Sequence, residues 1–201
     1  HDMAREFRVL SGLKKVYNNI PTPILLCTDE VVLGAPFYIM ERVQGIIVRD
    51  RLPDSLLTKT TALSTSAIDN LATIHRLDIE KAGLTNLGKA DGYVERQISG
   101  WTRRYARSKT DNIEEMDVIA NWLEQNRPSE ISQSIIHNDY KYDNLVLDPE
   151  NLSIKAVLDW EMATIGCPLM DLGCTLGYWV QQDDPAEMYT LPLSATRFPG
   201  T

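Results

Sequence analysis

The chain has 201 residues, of which 43% are hydrophobic and 24% charged, and carries a formal net charge of −8. That length admits one domain or a compact pair of lobes around a real core. The acidic balance argues against non-specific binding to nucleic acid or an anionic membrane, and no apolar run approaches the length that spans a bilayer.

The opening residues, His1 to Glu6, lack the apolar core of a signal peptide. Three cysteines, Cys27, Cys167 and Cys174, form no CxxC pair, which points to reduced thiols in a cytoplasmic protein. The chain runs at once into helix-forming sequence without an initiator methionine, as a fragment of a longer polypeptide would. Residues 2 to about 17 predict an amphipathic helix, with Met3, Phe7, Leu10 and Tyr17 on one stripe and Pro21 and Pro23 stopping it. The apolar runs Ile24 to Cys27 and Pro36 to Met40 flank Asp29 and Gly34 and predict an antiparallel strand pair.

After Gly45 the pattern becomes mainly helical. Leu63, Ala67, Leu71 and Ile74 share a stripe within a helix predicted over Leu56 to His75. Segments 93–107 and 114–126 predict two more helices. Between the first and second of these three helices, Gly83 to Ala90 nearly spells a phosphate-binding Walker loop. It has Ala90 where the hydroxyl belongs and no preceding strand, so it is read as a surface connection. Short apolar runs at Ile135–Ile136, Leu145–Leu147 and Ala156–Leu158 predict hairpin strands around the turn Asp148-Pro149-Glu150-Asn151. Pro168 fits the first turn of a helix running to about Gln181. The tail from Asp183, with Pro185, Pro192 and Pro199, reads as irregular.

The chemistry concentrates in His-Asn-Asp-Tyr-Lys-Tyr-Asp-Asn, residues 137–144, and in Ala156 to Glu161, where an apolar run ends at Asp159. Phosphoryl transfer needs an oriented acceptor hydroxyl, charge neutralisation by Mg²⁺, and both held in line. Asp139, Asn144 and Asp159 can supply that set, and Lys141 adds a point charge for the transferring phosphate. Magnesium takes few protein oxygens and completes its shell with water and phosphate, so two ligands suffice. His137, His75 and Asp143 are read as structural or solvated rather than catalytic, and Glu161 as a turn cap. Arg96 and Trp101 are either substrate contacts or a core tryptophan beside an ion-paired arginine.

Asp-x-Lys-x-x-Asn followed by a strand-terminal Asp resembles the protein-kinase catalytic loop and metal-binding aspartate. With His-Asn-Asp and Asp-Trp-Glu, the chain resembles the aminoglycoside phosphotransferase and choline kinase superfamily. More narrowly, it resembles the phosphotransferase domain fused to some acyl-CoA dehydrogenases, and its stand-alone bacterial relatives. Further matches are Arg5 to Leu10, Phe37 to Glu41, Leu71 to His75, Glu95 to Gln97 with Trp101, and Gly166 to Leu172. The resemblance implies an α+β, protein-kinase-like fold, with residues 1–43 as part of a smaller lobe and hinge and 44–201 as a mainly helical larger lobe. It implies Asp139 as catalytic aspartate and Asn144 and Asp159 as Mg²⁺ ligands. It also implies Met40 as gatekeeper of an adenine pocket, the backbones of Glu41 and Val43 as the hinge, and Asp171 as a buried brace. Glu6 falls where the family's helix carries the glutamate that pairs with a phosphate-binding lysine. That lysine strand and the loop covering the phosphates precede the helix in the family, and neither lies in this sequence.

The expected reaction is Mg²⁺-assisted, ATP-dependent phosphorylation of a hydroxyl on a small molecule. A nucleotide-binding pseudoenzyme and a metal-dependent phosphohydrolase using His137, Asp139 and Asp159 are the rival readings.

Overall fold

The computed structural model describes residues 2–49, 54–130 and 132–180, with the short pieces 184–185, 187–188 and 196–197. Helix α1 (Met3–Leu13) starts where the Asp2 carboxylate accepts the amide of Arg5 at 2.9 Å. It buries Glu6, Val9, Leu10 and Leu13 on one face. It is four residues shorter than the apolar periodicity suggests. Tyr17 remains buried, but on a turn, where its hydroxyl donates to Asn70 Oδ1 at 2.8 Å. The strands β1 (Pro23–Cys27) and β2 (Phe37–Met40) pair antiparallel as expected, around a one-turn helix α2 (Glu30–Leu33). Asp29 caps that turn, and Gly34, at φ +81°, closes it in the left-handed region where a side chain is strained.

The larger body begins where the chain leaving β2 crosses behind the hairpin of β4 (Leu145–Leu147) and β5 (Ile154–Val157). A Cβ on Gly45 would stand 2.4 Å from the Leu147 carbonyl oxygen, so glycine alone permits this approach. Ile46 and Leu147 then exchange backbone hydrogen bonds at 2.9 and 2.8 Å. A 3₁₀ turn (Asp54–Lys59) leads into α3 (Thr60–His75), whose stripe Leu63, Ala67, Leu71 and Ile74 is fully buried, as predicted. It packs on β3 (Ser134–Ile136).

The short helix α4 (Ile79–Ala82) ends at Gly83, and the stretch that follows is better anchored than a surface connection, because Leu84 and Leu87 enter the core. Helices α5 (Tyr93–Ser108) and α6 (Glu114–Gln125) pack against each other, and α6 buries none of its residues.

The strand pairing departs from the sequence reading at one point. β3 does not join the β4–β5 hairpin but pairs antiparallel with β6 (Thr164–Gly166), too short a segment to announce itself. Helix α7 (Pro168–Leu176) begins at its proline and stops before Gly177. Gln181, Asp183, Pro192 and Pro199 lie outside the described residues, and Trp179–Val180 pairs parallel with Thr196–Arg197. Among the described residues no helix is long and apolar enough to cross a membrane.

Candidate active site

The loop between β3 and β4 is held from below by Asp171, in the first turn of α7. Its Oδ2 accepts the His137 amide at 2.9 Å and stands 2.9 Å from His75 Nε2, while Oδ1 accepts the Asn138 amide at 2.7 Å. Full burial alone would raise this carboxyl's pKa. The bonds from His75, His137 and Asn138 outweigh it and hold the group below the usual aspartate value. Asn138 is thereby kept at φ 65°, with Tyr93 Oη donating to its Oδ1 at 3.0 Å and its Nδ2 donating to the Met162 carbonyl at 3.0 Å.

His137 is wholly buried. Its Nδ1 accepts the Asp139 amide at 3.2 Å, which leaves Nε2–H to donate to the Leu158 carbonyl at 2.9 Å. Burial pushes the ring's pKa down, in keeping with a neutral tautomer. Both nitrogens are spent on the loop. His137 is therefore structural, as read from the sequence, and the phosphohydrolase reading loses its histidine ligand.

Asp139 divides its two carboxylate oxygens. Oδ2 accepts Asn144 Nδ2 at 3.0 Å and lies 3.0 Å from Lys141 Nζ; Oδ1 accepts the hydroxyl of Tyr178 at 2.8 Å. Asn144 Nδ2 also bonds the Asp139 carbonyl at 2.9 Å, so the side-chain oxygen of Asn144 is the atom left for another partner. Register places Asp159 beside this group. Leu145 faces Val157 across the β4–β5 ladder, and the Leu158 amide bonds the Asn144 carbonyl at 2.8 Å. Asn144 and Asp159 therefore leave the same end of one hairpin.

Asp159 stands at φ 62°, ψ 61° and leads into a tight 3₁₀ turn, Trp160–Met162. Although solvent reaches it, partial desolvation and the like charges of Glu161 and Asp139 raise its pKa, against the pull of His137 and Lys141. An anionic pair that repels itself is suited to a cation.

Glu6 reaches this turn from α1. Its Oε1 accepts the Trp160 amide at 3.2 Å, and burial raises its pKa while a hydrogen bond with Tyr38 lowers it. Arg5 beside it donates to the carbonyls of Glu161 and Ala163. Met40 ends β2, with Glu41 and Val43 just beyond it, and no hydrogen bond among the described residues joins them to the Asp139 group. The Glu41 carboxylate instead accepts Thr22 N at 3.1 Å and Thr22 Oγ1 at 2.7 Å, which fixes the strand end.

Asp143 is half-buried rather than solvated. Trp101 is 59% exposed, and Arg96 donates to the carbonyls of Lys89 and Asp91, so the core-tryptophan reading with an ion-paired arginine fails. Both residues line a cavity of about 410 Å³ beside Asn138, together with Lys89, Arg104, Met170 and Cys174. Among the described residues no acidic side chain lines it. Tyr178 and Tyr93 escaped the sequence reading, since only the fold brings them to the loop.

Among the described residues no three His, Cys, Asp or Glu side chains converge as a metal cage. Asp159 and Asn144 bring one carboxylate and one amide to the same hairpin end, hard-oxygen groups of the kind that could hold magnesium beside phosphate and water.

Comparison with known proteins shows the family and the fold. The profile of the APH family, described as a phosphotransferase enzyme family, matches residues 1–192. Acyl-CoA dehydrogenase family member 11 of Rattus norvegicus is 40% identical over 174 residues, 86% of this chain but 22% of that protein's length. The chain thus spans about a fifth of this curated relative. A crystal structure of a candidate aminoglycoside phosphotransferase from Ralstonia eutropha superposes with a TM-score of 0.83 at 36% identity, over 96% of this chain and 60% of that one. A thermostable aminoglycoside phosphotransferase mutant, solved with ADP and hygromycin B, has the same fold at 18% identity and a TM-score of 0.61, over 86% and 60% of the two chains.

Proposed function

Because the chain belongs to the phosphotransferase enzyme family, with its protein-kinase-like fold, we propose that it transfers the γ-phosphoryl group of ATP to a hydroxyl of a small molecule. Asp139 orients that hydroxyl and takes its proton as the new phosphate ester forms and the bond to ADP breaks. The observation that carries this reading is the convergence of Asp139, Lys141 and Asn144 on one side of a hairpin end that also presents Asp159. Lys141 supplies positive charge beside the transferring phosphate.

Asn144, through its amide oxygen, and Asp159 would hold Mg²⁺, which when bound neutralises the charge of the triphosphate. Residues 1–43 form part of the smaller lobe and the hinge, and 44–201 the mainly helical larger lobe. Met40 borders the adenine site. The Glu41 carbonyl and Val43 amide, without a backbone partner among the described residues, read the adenine edge. Glu6 couples the smaller lobe to the Asp159 turn through Trp160.

The cavity beside Asn138 supports an acceptor with an anionic group and an apolar part, because its wall combines Lys89, Arg96 and Arg104 with Trp101, Met162 and Met170. A polycationic acceptor meets the wrong sign of charge there.

An ATP-consumption screen of hydroxyl-bearing metabolites, anionic and cationic, on full-length protein tests the proposal. The Asp139→Asn variant runs beside it with an expected loss of about 10²- to 10⁴-fold. Equal turnover by the two proteins would remove Asp139 from this role.

A further inference from the structure

We propose that Tyr178 holds the acceptor's position on Asp139 while the acceptor site is empty, and so keeps water from attacking bound ATP. The inference rests on the phosphotransferase reading above and extends it to a residue with no role there.

Asp139 has two oxygens. Oδ2 is committed to Lys141 and Asn144, both at 3.0 Å, which belong to the loop itself. Oδ1 is occupied by an alcohol-like group, the Tyr178 hydroxyl, donating at 2.8 Å. This is the contact a substrate hydroxyl must make to be oriented and deprotonated. An acceptor hydroxyl that takes the lone pair filled by Tyr178 has to displace the tyrosine.

Its tether suits a displaceable group. Tyr178 follows the last residue of α7 and Gly177, is half-buried, and lays its ring 5.3 Å from Lys141 Nζ. The cavity beside Asn138 is bounded by Cys174 on α7, four residues before Tyr178 and near enough to influence its phenol. Burial, and then the Asp139 carboxylate, push the phenol up to about 12. Tyr178 therefore keeps its proton and serves as a donor rather than as a phenolate nucleophile.

The physical need follows from the chemistry of Asp139. A carboxylate that orients a substrate hydroxyl orients water equally well. Water so placed would attack the γ-phosphorus, break the bond to ADP and release inorganic phosphate, passing its proton to Asp139. A protein hydroxyl on Oδ1 excludes that water until an acceptor displaces it.

The test needs no knowledge of the acceptor. Phosphate release from MgATP alone is measured for full-length wild type, Tyr178→Phe, Tyr178→Leu and the double variant Tyr178→Phe with Asp139→Asn, with thermal melts and MgATP binding in parallel. Removing the hydroxyl should raise acceptor-free release about tenfold or more, the factor that one charge-assisted hydrogen bond represents. Tyr178→Leu should show the same rise, and the double variant should lose it. A merely structural tyrosine would lower stability without this gain. Unchanged release in folded single variants that bind MgATP overturns this inference alone; absence of MgATP binding in every protein overturns the phosphotransferase reading and this one together.

Discussion

Replacing Asp171 with asparagine should loosen the loop that carries Asp139 without touching any residue proposed for chemistry. The wild-type carboxylate serves three donors, two on Oδ2 and one on Oδ1, at 2.7 to 2.9 Å, with its side chain wholly buried. Asparagine has one acceptor oxygen. Flipped to keep His137 and His75, it presents an NH₂ to the Asn138 amide; flipped the other way, it loses the His137 amide. Either orientation removes one hydrogen bond to a charged acceptor, about 1.5–3 kcal/mol, and strands a buried N–H, about 1–3 kcal/mol more. A total of roughly 3–5 kcal/mol corresponds to a fall in Tm of roughly 6–20 °C for a unit of this size.

Acidity supplies a second readout on the same pair of proteins. The folded pKa of Asp171 is depressed, so its contribution is complete above the unfolded value, near ~3.9, and is lost as pH falls through the folded one. The stability gap between wild type and Asp171→Asn should therefore narrow in acid. Thermal melts followed by circular dichroism at neutral and acid pH measure both effects. A variant melting within about 2 °C of wild type at pH 7 would refute the bracing role.

Gly45→Ala should destabilise by about 1–3 kcal/mol, the cost of overpacking, because its Cβ meets the Leu147 carbonyl at 2.4 Å; urea titration measures it, and an unchanged midpoint would show that the crossing can yield. Asp159 has a pKa raised by partial desolvation and by Glu161 and Asp139, and a cation needs its ionised form. Apparent Mg²⁺ affinity should accordingly weaken as pH falls through a point above that of an ordinary aspartate, and Glu161→Gln should move this inflection to lower pH. Calorimetric titration of Mg²⁺ with nucleotide across pH checks this, and identical profiles for the two proteins would contradict it.

The meeting of the loop side chains was legible because the fold keeps them in one stretch. Asp139, Lys141 and Asn144 lie within six residues, and a tight loop leaves their side chains little choice but to meet. Asp159 was legible for a different reason: its strand ends where an apolar run ends, and hairpin register then returns it to Asn144. Tyr178 had no such signal. It reaches Asp139 only because α7, anchored by Asp171 under the loop, stops at Gly177 and turns the next side chain inward.

The end of α1 was misplaced because burial continues past the helix. Tyr17 satisfies the apolar period by packing from a turn, its ring edge-on to Trp160. The pairing of β3 with β6 was hidden by length, since a three-residue strand carries no alternation to read.

Phosphorus NMR of MgATP, full-length protein and an acceptor found in the screen tests the proposed transfer most directly. A phosphate-ester resonance should grow in step with ADP, and Asp139→Asn should slow it by about 10²- to 10⁴-fold. Inorganic phosphate appearing in place of the ester, or ester formed equally fast by the variant, would contradict the assignment of Asp139 to phosphoryl transfer.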